Sequence, residues 1–287
     1  MSLQERLMGL PLYHRESSRL SVITRLFNNY RSHDALLQIP SKLFYGGTLR
    51  CKAEGKITSL CQDFEMLSNG EKFPMLVHDV EDGKELSKVD TPSFFNVKEC
   101  EAIVEIIRAL LSSRNISVNA GHIFVITCFR AQVLKLRETL RKSSLPTINV
   151  GLVEDFQGQE NAICLISTVL TERHERWEKG SKAGLGFMTD SKRFNVAITR
   201  ASALCVIVGK VSFIENSGSF WSALIEHVRR NNGISGTEND DNDVYGIECL
   251  LRHVGELGLL GIGHEEDRYD LAMRGHYHDS PEWKVCL

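Results

Sequence analysis

The stretch SKRFNVAITRASALCVIVGK, residues 191–210, combines two patterns that decide the fold. Its first half has helical spacing, with an apolar stripe formed by Phe194, Val196, Ala197 and Ile198. Its second half is apolar on successive residues from 203 to 208. Unbroken runs of this kind are typical of strands buried on both faces of a parallel sheet. The stretch therefore predicts a helix that leads directly into a central strand, with the cation Arg200 at the junction.

The same alternation recurs upstream, where short apolar runs rich in β-branched residues are followed by helical patterns. The predicted strands are residues 73–80, 122–129, 148–154, 162–169 and 203–210, and the predicted helices are residues 96–115 and 130–143. Such alternation indicates an α/β domain in which helices cover a parallel sheet. Because ligands bind such sheets beyond the carboxyl ends of the strands, we expect the functional side chains at that edge.

Composition restricts the class of protein. The 287 residues are 42% hydrophobic and 25% charged, as in a soluble globular domain, and no apolar run approaches the roughly 20 residues of a membrane span. The N-terminus is too charged for a secretory signal. The eight cysteines include no C-x-x-C pair and mostly lie in apolar runs. We therefore expect reduced, buried thiols, an intracellular protein and no zinc site.

Charge is distributed unevenly along the chain. Residues 1–231 carry 30 basic and 25 acidic side chains, whereas residues 232–287 carry 4 basic and 12 acidic ones. The first part can therefore bind a polyanion, while the second would repel it. An Asn-, Gly- and Asp-rich linker begins near the junction. We predict one α/β domain over residues 1–231 and an acidic, partly disordered extension over residues 232–287.

Four polar clusters interrupt the apolar runs: NNYRSH (28–33), VITCFRAQ (125–132), VEDFQGQE (153–160) and RFNVAITRA (193–201). Each has an ordinary structural interpretation. The first is a helix cap provided by Asn28 or Ser32, the second a strand-to-helix junction, the third a solvated turn, and the fourth an amphipathic helix with an extended arginine. Their order and spacing together favour a functional interpretation.

In that order the clusters resemble the C-terminal half of superfamily 1 RNA helicases, the group that includes the nonsense-mediated-decay helicase. Within that group the chain is most similar to the Armitage type and its plant silencing-defective relatives. The likeness covers about residues 1–231 and implies a RecA-like (P-loop NTPase-type) fold, the second of two such helicase domains. It also implies ATP and Mg²⁺ in a cleft shared with a first domain, RNA and silencing-complex proteins as partners, and a cytoplasmic location that includes ribonucleoprotein granules.

The resemblance implies a role for particular residues. On the nucleotide side, Arg31 and Arg200 match the arginines that reach the γ-phosphate, and the other matches are Tyr30 near adenine, Glu160 near the ribose, and Gln157 with Gly158 as the nucleotide sensor. On the RNA side the candidates are Thr127, Arg130, Ser167 and Thr168, which lie at or just after predicted strand ends, with Asn195, Asp190 and Arg193 as lesser candidates. Three positions depart from the family pattern: Cys128 replaces proline, Phe129 replaces tyrosine, and Leu170 stands where arginine is common.

One expected motif does not occur in this sequence. The Gly-Lys pairs at 55–56, 83–84 and 209–210 are followed by Ile, Glu and Val, so none completes a phosphate-binding G-x-x-x-x-G-K-[ST] loop. We therefore expect that the chain does not hydrolyse ATP without a first RecA-like domain. Two alternatives stay open at this point, a non-catalytic module that binds RNA or a protein, and part of a DNA helicase.

Overall fold

A computed structural model describes residues 6–7, 10, 24–67, 72–87, 93–172, 186–236 and 285–286. The helices are α1 Asp34–Phe44, α2 Gly55–Thr58, α3 Val97–Ser112, α4 Arg130–Lys142, α5 Ser191–Ile198, α6 Val211–Glu215 and α7 Ser219–Arg230. The strands are β1 Thr24–Arg25, β2 Asn28–Asn29, β3 Arg50–Cys51, β4 Met75–Asp79, β5 Glu85–Ser87, β6 Phe94–Asn96, β7 Ile123–Thr127, β8 Asn149–Leu152, β9 Asn161–Ser167, β10 Ala201–Gly209, β11 Ile234–Ser235 and β12 Val285–Cys286.

Six strands form a parallel sheet in the order β11-β4-β10-β9-β7-β8. All nine residues of β10 are buried, because the strand pairs with β4 and β9 and is covered on both faces. Helix α5 ends only three residues before β10 begins. The α/β fold and the helix-to-strand arrangement predicted from the opening stretch are thus confirmed.

Alternate residues of the central strands form two separate cores. On one face, Cys205 and Ile207 of β10 pack in a cluster with α1, α5, α6 and α7. On the other face, Val206 and Val208 pack with α3, α4 and the segment 58–67. Because both faces are covered, the sheet needs apolar side chains at successive positions, which explains the unbroken apolar runs in the sequence.

The strand β11 lies beyond the boundary predicted at residue 231. It pairs with β4 and adds a sixth strand to the sheet, so the described domain continues to residue 236. Most of the predicted acidic extension, residues 237–284 and 287, lies outside the described residues. In the described segments no helix is long and apolar enough to cross a membrane.

The cysteines that the structure describes are free thiols. Cys61, Cys100, Cys164 and Cys205 are buried, and burial raises the pKa of each of these four thiols. Within the same described ranges, no group of three or more His, Cys, Asp or Glu side chains could hold a metal ion.

Gly209, the last residue of β10, is required by close packing. A Cβ atom at this position would lie 1.9 Å from Thr168 Oγ1 and 3.1 Å from Ile214 Cδ1. We expect Gly209→Ala to lower the free energy of unfolding by about 1–3 kcal/mol, because a buried site cannot accept the added carbon without shifts. Urea denaturation of the purified chain measures this change.

The exposed Gly55 provides the matched control, since a Cβ there meets no atom within 4 Å. Gly55→Ala should change the free energy of unfolding by no more than about 0.5 kcal/mol. In the double variant, Thr168→Ala should recover most of the stability lost in Gly209→Ala. Equal destabilisation by the two glycine substitutions would contradict the packing account.

Candidate functional site

The loop that carries Arg31 is fixed to the amino end of β10. The Ser32 hydroxyl donates to the carbonyl of Ala201 at 2.9 Å, and the backbone N–H of His33 donates to the carbonyl of Ser202 at 2.9 Å. The Asn29 side chain accepts from the backbone N–H groups of Arg31 and Ser32, both at 2.9 Å. The loop therefore presents Arg31 beside the start of β10.

The helix cap suggested by the NNYRSH cluster is present, but neither Asn28 nor Ser32 forms it. Helix α1 begins at Asp34, and the side chain of His33 accepts from the backbone N–H of Ala35 at 3.2 Å. The prediction that Asn28 or Ser32 caps this helix was therefore wrong. The Ser32 hydroxyl donates to β10 instead.

Strand register brings Glu160 and Arg200 together. These residues directly precede β9 and β10, whose first residues Asn161 and Ala201 are paired. Arg31 Nε donates to Glu160 Oε2 in an ion pair. We call Arg31, Glu160 and Arg200 the arginine cluster. It places two guanidinium groups and one carboxylate at the amino edge of the sheet.

Arg200 is the buried member of the cluster, with only 2% of its surface exposed. Its guanidinium donates to three neutral acceptors, the carbonyls of Val196 and Gln159, each at 3.0 Å, and Thr199 Oγ1 at 3.3 Å. Burial and the nearby charge of Arg31 lower the pKa of Arg200 to about 10, so it stays cationic at neutral pH. A buried cation that donates only to neutral groups is costly, and such sites are often functional.

Asn195 lies beside the arginine cluster. Its Nδ2 donates to the Tyr45 hydroxyl at 3.2 Å, and its buried Oδ1 has no hydrogen-bond partner in the described part of the chain. Tyr45 is close enough for the charges of Arg31 and Arg200 to act on its hydroxyl, while burial raises the pKa of Tyr45. Sequence reasoning did not single out Tyr45, because nothing local links it to a residue 150 positions away.

The other residues assigned to the nucleotide are exposed. Tyr30 is 70% exposed and adjoins Arg31 in the chain. Gln157 and Gly158 form an exposed turn between β8 and β9, and this turn leads to Glu160. Gly158 has a φ of 78°, a conformation that favours glycine. The six residues assigned to the nucleotide thus lie in segments that border the amino edge of the sheet.

Asp190 and Arg193, two of the lesser candidates, have structural partners. Asp190 is the N-cap of α5 and accepts from the backbone N–H groups of Lys192 and Arg193. Arg193 Nε also lies 2.8 Å from Glu154 Oε1 in an exposed ion pair. These contacts fix the start of the helix that ends beside Arg200.

Four residues assigned to RNA lie at the opposite, carboxyl edge of the sheet. Thr127 and Ser167 are paired at the ends of β7 and β9, and Thr168 follows β9. All three are fully buried, whereas Arg130, the first residue of α4, is exposed. Since β9 has seven residues, about 20 Å separates the two edges.

The candidate residues of the arginine cluster and Asn195 thus do not lie at the carboxyl edge, where the functional side chains were expected. The cause is that Glu160 and Arg200 immediately precede β9 and β10, and strand direction then fixes the edge on which they lie. A motif that follows one strand in the sequence can therefore lie at the amino end of the next strand.

A buried carboxylate at the carboxyl edge escaped sequence reasoning. Glu99 Oε2 accepts from the Ser167 hydroxyl at 2.5 Å, and both carboxylate oxygens accept from the backbone N–H of Val169, at 2.9 and 3.0 Å. Burial raises the pKa of Glu99 to about 8. One signal was available, because Glu99 stands four residues before Ile103 in the apolar stripe of α3, where a charged residue is unusual.

Comparison with known proteins decides the family. A model of the AAA domain family, AAA_12, matches residues 2–212. The chain belongs to this family. It is 38% identical over 235 residues to the human RNA helicase Mov10l1 and 33% identical over 275 residues to the putative helicase MOV-10 of Gallus gallus. It is also 30% identical over 253 residues to the probable RNA helicase armi of Drosophila melanogaster.

These matches cover 79%, 90% and 83% of this chain, but only 19%, 28% and 21% of the respective relatives. The chain thus spans about a fifth to a quarter of the curated relatives that it matches. The predicted membership in the superfamily 1 helicases of the Armitage type is confirmed.

The three departures from the pattern of the helicase family are accommodated in the fold. The thiol of Cys128 donates to the carbonyl of Thr168 at 3.3 Å. Phe129 is buried and packs edge to face against Phe94 at 5.3 Å between ring centroids. Leu170 is fully buried in the core. Each replacement therefore contributes packing or a hydrogen bond at the carboxyl edge.

Proposed function

We propose that the chain is the second RecA-like domain of an ATP-dependent RNA helicase and contributes Arg31 and Arg200 to ATP hydrolysis. The arginine cluster is the observation that carries the proposal. Two guanidinium groups lie near one carboxylate there: Arg31 is paired with Glu160, and the described hydrogen bonds of the Arg200 guanidinium go to neutral acceptors. Such a site favours a polyanion, and planar, permanently charged groups suit the charge that spreads over a transferring phosphoryl group.

The charges and residue types of this site support a nucleoside triphosphate as the ligand. Arg31 and Arg200 would hold the γ-phosphate, Tyr30 would lie near the adenine, and Glu160 near the ribose. Gln157 and Gly158 would act as the nucleotide sensor. ATP with Mg²⁺ supplies the phosphoryl group that is transferred to water, and we assign the Mg²⁺ ligands and the phosphate-binding loop to a first RecA-like domain. In this chain the two arginines add positive charge where negative charge develops.

The RNA-binding part of the proposal concerns the carboxyl edge. Arg130 is an exposed cation there, and it would contact phosphates without reading base identity. Thr127, Ser167 and Thr168 are buried. In the proposal they shape this edge, and they would contact phosphates where RNA binding exposes them. Asn195 lies at the other edge, and we assign it to the support of Arg200 through Tyr45.

The resemblance to the Armitage type supports two wider parts of the proposal. These are a role in RNA-mediated gene silencing with silencing-complex partners, and a cytoplasmic location that includes ribonucleoprotein granules.

A chimera tests the catalytic proposal. In it, this chain replaces the matching segment of the human RNA helicase Mov10l1. We expect the chimera to hydrolyse ATP in an RNA-stimulated manner and the purified 287-residue chain to show no such turnover. RNA-stimulated turnover by the chain alone would contradict the assignment of the phosphate-binding loop and the Mg²⁺ ligands to a first RecA-like domain. A folded chimera without turnover would favour a non-catalytic module.

Substitution of Arg130 tests the RNA proposal. We expect Arg130→Ala to weaken binding of a fluorescein-labelled oligouridine to the chain by about threefold and to reduce the salt slope by about one. Fluorescence anisotropy at several salt concentrations measures both quantities. Arg108→Ala, an exposed arginine on α3, is the control and should change neither. An unchanged salt slope in Arg130→Ala would count against RNA binding at this edge, and tighter binding of the matching DNA would favour the DNA helicase.

A further inference from the structure

The turn after β9 has an unusual backbone conformation. Val169 has a φ of 70°, and the N–H of Leu170 donates to the carbonyl of Thr168 at 2.8 Å, so that Val169 is the central residue of a three-residue turn. Turns of this hand are rare and strained. For a β-branched residue the conformation costs about 1–3 kcal/mol, and it persists only where the surroundings enforce it.

The first turn of α3 holds both peptide groups around Val169. The Glu99 carboxylate accepts from the N–H of Val169 with both oxygens, and Asn96 Nδ2 donates to the Val169 carbonyl at 3.3 Å. Asn96 is the N-cap of α3 and itself accepts from the N–H of Glu99. Both side chains are fully buried, so water does not compete for these hydrogen bonds.

The same group of side chains also fixes the start of α4. Gln132 lies in the first turn of the helix, and its Oε1 accepts from the N–H of Asn96 at 2.8 Å. Its Nε2 donates to the Ser167 hydroxyl at 2.9 Å, and that hydroxyl donates to Glu99. The chain of hydrogen bonds thus joins α3, the end of β9 and the helix that begins with Arg130.

A second set of contacts holds the turn from the side of β10. Both the N–H and the hydroxyl of Thr168 donate to the carbonyl of Val208, at 3.1 and 3.3 Å. The thiol of Cys128, two residues before Arg130, donates to the Thr168 carbonyl. The strained turn is therefore held from β10, from α3 and from the segment that carries Arg130.

We propose that Glu99 is a positioning residue for RNA binding, because its carboxyl group fixes the strained turn after β9 against the start of α4. The inference rests on the proposed binding of RNA at the carboxyl edge. Glu99 touches no RNA in this scheme. Its function is to keep Arg130 and the turn in one arrangement before RNA arrives, which removes an ordering cost from binding.

Binding of a fluorescein-labelled oligouridine of about 15 nucleotides to the full 287-residue chain tests the proposal. Because a hydrogen-bonded carboxylate is lost, we expect Glu99→Ala to weaken binding about tenfold. Glu99→Gln keeps an oxygen that can accept from Val169 and should stay within about threefold of the wild type. Amide hydrogen exchange should show a faster rate at Val169 in Glu99→Ala, with Val206 in β10 still protected as a control for folding.

The double variant separates positioning from a general loss of stability. Glycine adopts a positive φ without strain, so in Val169→Gly the turn no longer requires the hydrogen bonds to Glu99. We expect Glu99→Ala with Val169→Gly to recover most of the lost RNA affinity. The inference is overturned if Glu99→Ala binds RNA like the wild type, if its Val169 amide stays protected, or if the double variant binds no better than Glu99→Ala.

Failure of the inference and failure of the proposed function give different results. If the wild-type chain binds no oligouridine, or if Arg130→Ala changes neither its affinity nor its salt slope, the proposed RNA site is wrong. The positioning role of Glu99 is then wrong as well. If Arg130→Ala weakens binding and Glu99→Ala does not, only the role of Glu99 is wrong.

Discussion

Replacing Arg200 by alanine in the Mov10l1 chimera is expected to lower RNA-stimulated ATP turnover about a thousand-fold, the effect typical of an arginine finger. Arg200 is buried and cationic, and the ion pair of Arg31 with Glu160 lies next to it. Its removal deletes positive charge from a site shielded from water, where charge acts most strongly. Steady-state hydrolysis of ATP with saturating RNA measures the effect.

Controls distinguish a chemical role of Arg200 from a structural one. Arg200→Lys keeps the charge but loses the planar fork, so we expect it to restore only a small part of the turnover. Arg141→Ala removes an exposed arginine of α4 and should leave turnover unchanged. Thermal unfolding shows whether each variant is folded. A folded Arg200→Ala chimera with turnover within threefold of the parent would remove Arg200 from the proposed mechanism.

Truncation of Trp221 should have the largest effect on stability. Trp221 is fully buried in α7, and its ring lies 4.7 Å from that of Phe194 and 6.1 Å from that of Phe187 between centroids. We expect Trp221→Ala to lower the free energy of unfolding by about 3–5 kcal/mol, since the surrounding core cannot close a cavity of this size. Urea denaturation followed by circular dichroism measures the change.

The control for this prediction is Leu134, which is 56% exposed on α4. Leu134→Ala should change the free energy of unfolding by no more than about 0.5 kcal/mol. Because Phe194 belongs to α5, the helix that ends beside Arg200, Trp221 also supports the arginine cluster. A loss below about 1 kcal/mol in Trp221→Ala would show that the aromatic core relaxes far more than its packing suggests.

The central sheet could be predicted from sequence because its strands are buried on both faces. Unbroken apolar runs identified β4, β7, β8, β9 and β10, although each predicted strand was off at its ends by one or two residues. The strand β11 was missed, since its two residues lie in a stretch rich in Asn and Gly and carry no apolar run.

The edges of the sheet were harder to predict than its strands. The motif residues Arg31, Glu160 and Arg200 were identified through a resemblance, but their position at the amino edge follows from which strands pair and in which direction. Glu99 was missed because its partner Ser167 is 68 residues away, and local pattern does not encode such pairs. The local sequence pattern therefore did not predict the long-range register of the strands or the buried polar networks.

The length of β9 has a mechanical consequence. The strand connects Glu160 at one edge to Ser167 at the other, and it lies between two flanking strands and between two packed cores. We expect the sheet to move as one rigid unit about 20 Å long. A tilt of about 10° at the arginine end moves the opposite end by about 3.4 Å, the distance between neighbouring nucleotides in a stacked strand. In the proposed helicase, a rocking motion of this size at each ATP would match a step of one nucleotide.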